Sequence, residues 1–430
     1  MALSCLFALL VGVSYGPAQQ ATPAKDAPAW PDPLVLKSGV RVATAAEFLK
    51  VRRPEIFSDF EENVYGRTPA GKVQQEFHVT SVDPHALGGA AVRKQITVTL
   101  RAGTVERHIH VLLYLPAAAA GPVPVFVGLN FSGNQSVSKD TGIDVSNVWT
   151  ADPAVEPIQI PKELKGQLQH PASDSTRGAD AGQWQVEEIV HSGYGLATAY
   201  AGDIEPDFAT GIAYGIRPLF FERGKAQAAD DWGAIGAWAW GMSRIADYLE
   251  TDAAVNGGQL IALGFSRFGK TALWAGAQDQ RFAAVISNES GQGGAGLAHR
   301  QGGETITHLN MAFPYWFSAN YHHFTGRPEQ LPVDGHLLLS LIAPRPLLVA
   351  SAAGDAVSDP ESEFLAAVAA TPVYTLFGKE GLPADAAYEV DRVQGNTLRY
   401  YVRPGAHDML LSDWKRFIQF ANDAFRPRGR

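Results

Sequence analysis

The hydrophobic pattern of the chain changes part-way along its length. Residues 31–116 contain short runs in which apolar and polar positions alternate, such as QQEFHVTSVDP (74–84) and RKQITVTLRAG (93–103). Alternating runs bounded by turn residues are typical of antiparallel strands. Continuous apolar runs follow, including VPVFVGLN (123–130) and QLIALGFS (259–266). Such runs indicate strands that are buried on both faces, as in a parallel sheet.

Helical segments separate most of these buried runs. Apolar residues recur at three- and four-residue steps in GAIGAWAWGMSRIADYLE (233–250), which predicts a helix there. Alternating strands and helices imply an α/β fold with a mostly parallel central sheet and helices on both faces, a three-layer sandwich. Further buried strands are predicted within the segments 193–204, 282–289, 345–355 and 398–407.

The same pattern gives the domain organisation. Residues 31–430 are predicted to form a single α/β domain. Two stretches, near 134–185 and 291–336, lack the strand–helix rhythm and are long for simple connections. We therefore expect structured insertions there, near the carboxyl ends of the strands, where chemistry collects in such sheets.

The N-terminus has the features of an export signal. An early apolar run is too short to span a bilayer, and the small residues Gly16 and Ala18 suit signal-peptidase cleavage, although no Lys or Arg precedes the run. Residues 1–18 are predicted as a signal peptide and 19–30 as a linker, so we expect a secreted or periplasmic protein. The single cysteine, Cys5, lies in the signal, so the mature chain would have no disulfide.

Charge and composition exclude several partners. The net charge of −9 argues against nucleic acid or an anionic membrane as the main partner. No segment after the signal resembles a membrane span, and no histidine or cysteine cluster has metal-ligand spacing. We therefore predict a mature protein, expected to be a monomer, that needs neither metal nor cofactor.

The segment GFSRFGKT (264–271) allows two interpretations. It fits the phosphate-binding pattern G-x-x-x-x-G-K-[ST], but two bulky phenylalanines would crowd a loop that must present bare N–H groups. The alternative is a nucleophile elbow, in which Ser266 ends a strand and opens a helix. Gly264 stands two residues before the serine, as an elbow requires, although Gly269 comes three residues after it instead of two. The predicted strand and helix on either side favour the elbow.

Partners for the serine follow in the order acid, then histidine. His407 lies between the last predicted strand and the last helix, where it can reach a serine on a neighbouring strand end. Two acids are candidates, because Glu289 ends the strand after the nucleophile strand and Asp355 ends the next one. Strand topology favours Asp355, whereas the local spacing within one strand–helix–strand unit favours Glu289, which we expect to be the principal partner. The other carboxylate would be a second acid.

These residues resemble a known family. The segment 264–305, from GFSRFGKT through NESG to GGET, together with FPYWFSANYHHF (313–324), is similar to the glucuronoyl esterases of carbohydrate esterase family 15. The elbow of that family is typically G-C-S-R-x-G-K, so the late glycine is a family feature. The resemblance implies a secreted α/β-hydrolase that cleaves esters between 4-O-methyl-glucuronate on xylan and lignin alcohols.

The resemblance also implies roles for individual residues. Ser266 would be the nucleophile, His407 the base and Glu289 the acid, while Asp355 matches a second acidic position. The residues implied in binding are Arg267 at the oxyanion hole, Lys270 and Glu304 at the sugar and, as one aromatic candidate for sugar contact, Trp316. The chain departs from the family at Phe265, where many relatives have cysteine, and at Val357, where many have a sugar-contacting tryptophan.

Two other functions stay open at this point. Another carbohydrate ester hydrolase, such as an acetyl xylan esterase, would need the same nucleophile and base but not the polar set of Arg267, Lys270 and Glu304. A non-catalytic polysaccharide-binding protein on the same scaffold would need neither Ser266 nor His407 intact. Hydrolysis of a glucuronate ester beside an aryl acetate separates these functions.

Overall fold

A ten-stranded sheet forms the centre of the fold. The computed structural model describes residues 30–151, 167–221, 227–300 and 302–425, and the described residues from Pro31 onward form one compact unit. The predicted signal peptide lies outside the described residues. The strands are β1 Gln74–Ala86, β2 Ala91–Ala102, β3 Val105–Pro116, β4 Val123–Asn130, β5 Asn147–Ala151, β6 Gln167–Pro171, β7 Gly195–Tyr200, β8 Val255–Phe265, β9 Phe282–Asn288, β10 Leu347–Ala352, β11 Val393–Gly395 and β12 Leu398–Arg403.

The α-helical segments vary widely in length. They are α1 Ala45–Glu47, α2 Arg53–Phe60, α3 Ala181–Trp184, α4 Val186–His191, α5 Ala201–Ile204, α6 Ala234–Leu249, α7 Arg267–Gln278, α8 Ile306–Ala312, α9 Gly335–Ser340, α10 Pro360–Leu376 and α11 Leu411–Phe425. In the part of the chain that the structure describes, none of them is both long and apolar enough to cross a bilayer.

The sheet has the mixed character that the hydrophobic pattern predicts. Its strand order is β1-β2-β3-β7-β4-β8-β9-β10-β12-β11. The six strands from β7 to β12 in this order run parallel to one another. The block β1 to β3 and the edge strand β11 are antiparallel additions. The strands β5 and β6 form a separate hairpin within the first predicted insertion.

Alternate residues of the parallel strands face two different helical layers. Phe126, Ile261 and Ile286 pack in one core with Trp414 of α11. The neighbouring residue Val285 faces α7, and a methyl group added at Gly276 of that helix would lie 2.5 Å from its side chain. Helices α6 and α10 contact the strands β4 and β10. The predicted α/β-hydrolase architecture, with helices on both faces of the sheet, is confirmed.

The N-terminal region differs from the sequence expectation of extended runs alone. Residues 45–65 are helical, with α1 and α2 joined and extended by π-helical turns. Ring contacts hold this segment, because Phe57 and Tyr65 stack on Trp274 of α7 with centroids 5.0 and 4.6 Å apart. These contacts are distant in sequence, so the local periodicity could not reveal them.

The parallel order places the chemistry at one edge. Strands β8, β9, β10 and β12 are consecutive neighbours in the sheet. Ser266 follows β8, Glu289 follows β9, Asp355 lies shortly after β10, and His407 lies shortly after β12. Because the carboxyl ends of parallel strands meet at one edge, these four residues are brought together.

Candidate active site

Ser266 occupies a strained turn between β8 and α7. Its backbone angles are φ 58° and ψ −127°, a conformation that non-glycine residues rarely adopt. Two glycines permit this turn. A Cβ at Gly264 would lie 1.7 Å from the carbonyl oxygen of Phe268, and one at Gly269 would lie 2.9 Å from the Cβ of Ser290. The late glycine therefore serves the approach of α7 to the segment after β9.

The start of α7 supplies hydrogen-bond donors beside the serine. Ser266 does not cap the helix with its side chain, and the first backbone bond to its carbonyl comes from Gly269 at 2.8 Å. The N–H groups of Arg267 and Phe268 precede that bond. Unsatisfied N–H groups in the first turn of a helix are suited to stabilise an oxyanion.

His407 contacts both candidate acids through the same ring nitrogen. Its Nδ1 lies 2.6 Å from Oδ2 of Asp355 and 3.0 Å from Oε2 of Glu289. The Phe265 ring packs beside the imidazole, with centroids 4.6 Å apart. Because Nδ1 is the nitrogen held by the carboxylates, Nε2 is left to serve the nucleophile. No hydrogen bond joins the Ser266 hydroxyl to His407 among the described contacts.

The two acids have different surroundings. Glu289 is fully buried; its Oε1 accepts from Arg403 at 2.8 Å and its Oε2 from the N–H of Asp408 at 3.1 Å. Asp355 accepts from the N–H groups of Val357 and Ser358 at 3.1 and 3.2 Å. Glu289 is thus tied to a buried cation, whereas Asp355 makes the shorter bond to His407. The geometry favours Asp355 at Nδ1, against the preference for Glu289 from local spacing, and the principal acid stays a prediction.

Burial and the hydrogen bonds at Nδ1 of His407 shift the pKa values of Glu289, Asp355 and His407. Burial raises the pKa of Glu289 to about 7, against the opposing effects of His407 and Arg403. Burial would also raise the pKa of Asp355, but the hydrogen bonds and charge of His407, together with Ser358, leave it below its ordinary value. For His407, burial is outweighed by the hydrogen bonds of Asp355 and Glu289, and its pKa is raised to about 9.

The same three residues offer the geometry of a metal site. One ligand atom from each of Glu289, Asp355 and His407 lies within 4.8 Å of the others. The hydrogen-bonded arrangement requires a proton on Nδ1 of His407, whereas a metal ligand would need that nitrogen bare. The prediction that the protein needs no metal therefore has a direct test in the effect of a chelator.

Arg267 lies within an aromatic enclosure beside the serine. Its guanidinium carbon is 4.7 Å from the ring centre of Trp316 and 5.6 Å from that of Phe131. The guanidinium pairs with Asp207, which also accepts from the indole N–H of Trp316 at 2.8 Å. Arg267 is thus placed beside the nucleophile, as the resemblance implies, and Asp207 is a partner that the sequence reasoning did not name.

Lys270 and Glu304 form an ion pair with each other. The Lys270 Nζ lies 2.6 Å from Glu304 Oε1 and 2.6 Å from the carbonyl oxygen of Ser290. The Lys270 side chain is only 3% exposed. A lysine held in this way is not free to reach a phosphate, which counts against the nucleotide-binding interpretation. Contact of either residue with a sugar stays a prediction.

Trp316 is a packing residue in this structure. Its ring is 3% exposed and stacks on Phe313 with centroids 3.8 Å apart. Its N–H is bound by Asp207 and its ring lies against Arg267. This burial does not favour the sugar-contact role that the aromatic cluster suggested. The second insertion, near 291–336, nevertheless supplies Trp316 and Glu304 to the site.

Sequence reasoning missed two buried ionisable residues behind the site. Arg403, which is 2% exposed, joins Glu289 to Asp413 at 2.8 and 2.9 Å. Glu363 accepts from the hydroxyl of Ser351 at 2.5 Å and from the N–H of Gly291 at 2.8 Å. The available signal was a charged residue at the end of a predicted strand and four residues before His407, which is where Arg403 lies. Glu363 lies in the first turn of α10, and no feature of the sequence pointed to it.

Known proteins are similar to this chain over nearly its whole length. A family model described as glucuronyl esterase of fungi matches residues 225–378. A carbohydrate esterase of an unknown prokaryotic organism is 41% identical over 393 residues, which cover 91% of this chain and 88% of that protein. A solved structure of a glucuronoyl esterase from Solibacter usitatus is 45% identical, with a TM-score of 0.86, and covers 92% of this chain and 98% of that one. This chain belongs to the glucuronoyl esterases of carbohydrate esterase family 15.

The match to one fungal relative covers only part of this chain. A protein from Podospora anserina, named 4-O-methyl-glucuronoyl methylesterase, is 41% identical over 127 residues, which are 27% of this chain and 26% of that protein. The resemblance stated from the motifs is confirmed. The roles of the individual residues stay predictions.

Proposed function

We propose that this glucuronoyl esterase hydrolyses the ester between (4-O-methyl-)glucuronate on glucuronoxylan and a lignin alcohol. The observation that carries the proposal is Ser266 on a strained turn, with His407 and two carboxylates at the same sheet edge. Arg267 and Lys270 in the first turn of α7, paired with Asp207 and Glu304, place cationic hydrogen-bond donors beside that serine. Positive charge and hydrogen-bond donors suit a uronate acyl group and its hydroxyls.

The geometry supports an acyl-enzyme mechanism. Nε2 of His407 takes the proton of the Ser266 hydroxyl as the oxygen attacks the ester carbonyl. The N–H groups at the start of α7 stabilise the oxyanion of the tetrahedral intermediate. His407 then gives the proton to the departing alcohol, which leaves a glucuronoyl ester on Ser266. Water, activated by His407, hydrolyses that ester and releases the uronic acid.

The deciding experiment compares two esters on the purified protein. A benzyl glucuronate ester and an aryl acetate are hydrolysed side by side, and we expect the glucuronate ester to have the higher kcat/KM. Substitution of Lys270 by Ala is expected to raise KM for the glucuronate ester and leave the acetate unaffected, since acetate has no sugar to bind. A preference for the acetate that Lys270→Ala does not alter would favour an acetyl ester hydrolase instead.

We also propose that the mature protein is a secreted or periplasmic monomer. The support for export is the predicted signal peptide at residues 1–18. N-terminal sequencing of the exported protein should begin near residue 19, and light scattering of the mature chain should give the mass of one copy. A mature protein that retains residues 1–18 would contradict the export proposal.

A further inference from the structure

The Arg267 guanidinium is held by few but specific contacts. Its pairing with Asp207 uses Nη1, and the rings of Trp316, Phe313 and Phe131 lie 4.7, 5.5 and 5.6 Å from its carbon. Its Nε has no hydrogen-bond partner among the described residues. Aromatic faces attract the cation without fixing its rotation, so the direction of its N–H groups depends on Asp207.

Asp207 is itself fixed through its other oxygen. Oδ1 accepts from the hydroxyl of Tyr315 at 2.9 Å and from the indole N–H of Trp316 at 2.8 Å. Both oxygens of the carboxylate are therefore engaged, one by Arg267 and one by the two aromatic donors. A carboxylate held at both oxygens has little freedom to swing, so it can orient the cation it binds.

The loop that carries Asp207 is anchored in the core. Two residues earlier, Glu205 is 1% exposed. It pairs with Arg217 at 2.5 Å, and its carbonyl oxygen accepts from the indole N–H of Trp238 at 2.8 Å. Asp207 thus connects a rigid segment after β7 to the insertion that carries Tyr315 and Trp316, and Arg267 lies between them.

We propose that Asp207 is a positioning residue for the esterase reaction, which acts by orienting Arg267 toward the acyl group bound at Ser266. This inference rests on the proposed function, because it concerns the cation beside the ester carbonyl. Asp207 engages the terminal nitrogen Nη1 and leaves the other terminal nitrogen, Nη2, for the substrate. It also gives Trp316 a role, as a donor that holds Asp207.

The test is a double-mutant cycle on the full-length mature enzyme with the benzyl glucuronate ester. Asp207→Asn is expected to lower kcat by about 10- to 100-fold, less than the loss of an oxyanion donor itself, with KM changed less than threefold. In an Arg267→Ala background the same substitution is expected to have no further effect, since it acts through Arg267. Asp207→Glu is expected to recover part of kcat because it restores the charge.

Asp203→Asn provides the matched control. Asp203 lies in the same segment and accepts from the N–H of His110 at 3.0 Å, away from Arg267. We expect its kcat to equal that of the wild type. Full additivity of Asp207→Asn and Arg267→Ala, or an Asp207→Asn variant with wild-type kcat, would overturn the proposal.

A second variant decides the matter if Asp207→Asn does not fold. Tyr315→Phe removes one donor to Asp207 and keeps the ring, and we expect a smaller fall in kcat that disappears in the Arg267→Ala background. The positioning role would then be refuted if Tyr315→Phe left kcat unchanged, or if it lowered kcat by the same factor in the wild-type and Arg267→Ala backgrounds. Failure of the proposed function looks different, because the wild-type enzyme itself would not hydrolyse the glucuronate ester.

Discussion

Replacing Asp355 by Asn tests how two carboxylates share one imidazole. The two acids approach Nδ1 of His407 at 2.6 Å from Asp355 and 3.0 Å from Glu289, yet that nitrogen carries one proton. An Asn at position 355 keeps the shape of the side chain and removes its charge. Its amide can also donate to Nδ1, which stabilises the tautomer with the proton on the wrong nitrogen.

The size of the effect follows from the remaining partner. In a triad with a single acid, an Asp-to-Asn change costs about 10⁴ in kcat, as the serine protease example shows. Here Glu289 still accepts from Nδ1, so we expect kcat/KM to fall by about 10² to 10³, or about 2.7 to 4.1 kcal/mol of transition-state stabilisation. The corresponding Glu289→Gln variant is expected to lose less activity, because Asp355 keeps the shorter bond.

Glu289→Gln should instead cost stability. It removes one carboxylate partner of Arg403, which is 2% exposed, and leaves that cation with Asp413 and backbone carbonyl oxygens. Breaking a buried ion pair by removing one partner costs about 3–5 kcal/mol, and the surviving pair with Asp413 places the expected loss near the lower end. Glu289→Gln should therefore lower the thermal stability more than Asp355→Asn does, whereas Asp355→Asn should lower kcat/KM more than Glu289→Gln does.

The pH profile provides an independent measurement. His407 must be neutral to act as a base, and its carboxylate partners raise its pKa from 6.5 to about 9. The kcat/KM of the wild type should therefore rise with pH through the neutral range, reach half of its maximum near pH 9 and level off above that pH. Removing either carboxylate lowers the pKa of His407, by about one to two pH units, so the rising limb should move to lower pH.

Initial rates from pH 5 to 10, with unfolding followed in parallel, complete the assay. Asp408→Asn is the matched control, because Asp408 neighbours His407 in sequence but its carboxylate accepts a hydrogen bond from Gln183 at 2.9 Å. This substitution should not shift the pH at which kcat/KM rises. The reasoning is refuted if Glu289→Gln alone removes nearly all activity while Asp355→Asn removes little. It is also refuted if neither substitution moves the rising limb.

The remaining predictions concern the turn, a buried acid and the metal question. Ser266→Ala should lower kcat by about 10⁴-fold or more with unchanged unfolding, whereas Ser266→Gly should be equally inactive and more stable by about 1 kcal/mol, since glycine relieves the strain at φ 58°. Gly264→Ala should prevent folding, as judged by circular dichroism, because its Cβ would lie 1.7 Å from a carbonyl oxygen; a folded, active variant would contradict the elbow geometry. Burial raises the pKa of Glu363 from 4.5 to about 8, so its contribution to stability is present below pH 4.5 and is lost as the pH rises through about 8. In Glu363→Gln, the free energy of unfolding from chemical denaturation should therefore fall less steeply with pH over this range. Activity should survive a chelator, and its loss with recovery on adding metal would show that the carboxylates and His407 bind an ion.

The chain encodes much of the fold in its local pattern. Buried runs such as 123–130 match β4 residue for residue, and the helix predicted over 233–250 forms as α6, Ala234–Leu249. A strand buried on both faces leaves a continuous apolar run, and a helix leaves apolar residues at three- and four-residue steps, so neighbouring residues carry both signals by themselves. Helix α10 and the N-terminal helical turns gave weaker signals, because long-range packing stabilises them.

The sequence by itself determined that a serine stands at a strand–helix junction with glycines on either side, and that acids and a histidine follow at later strand ends. Those features are local, so order and residue type suffice to recognise them. Only the tertiary structure decided that Glu289 and Asp355 meet at the same nitrogen of His407, that Arg403 claims one of them, and that Trp316 is buried. These outcomes depend on distances between residues far apart in the chain, where differences of a few tenths of an ångström decide which group receives a proton.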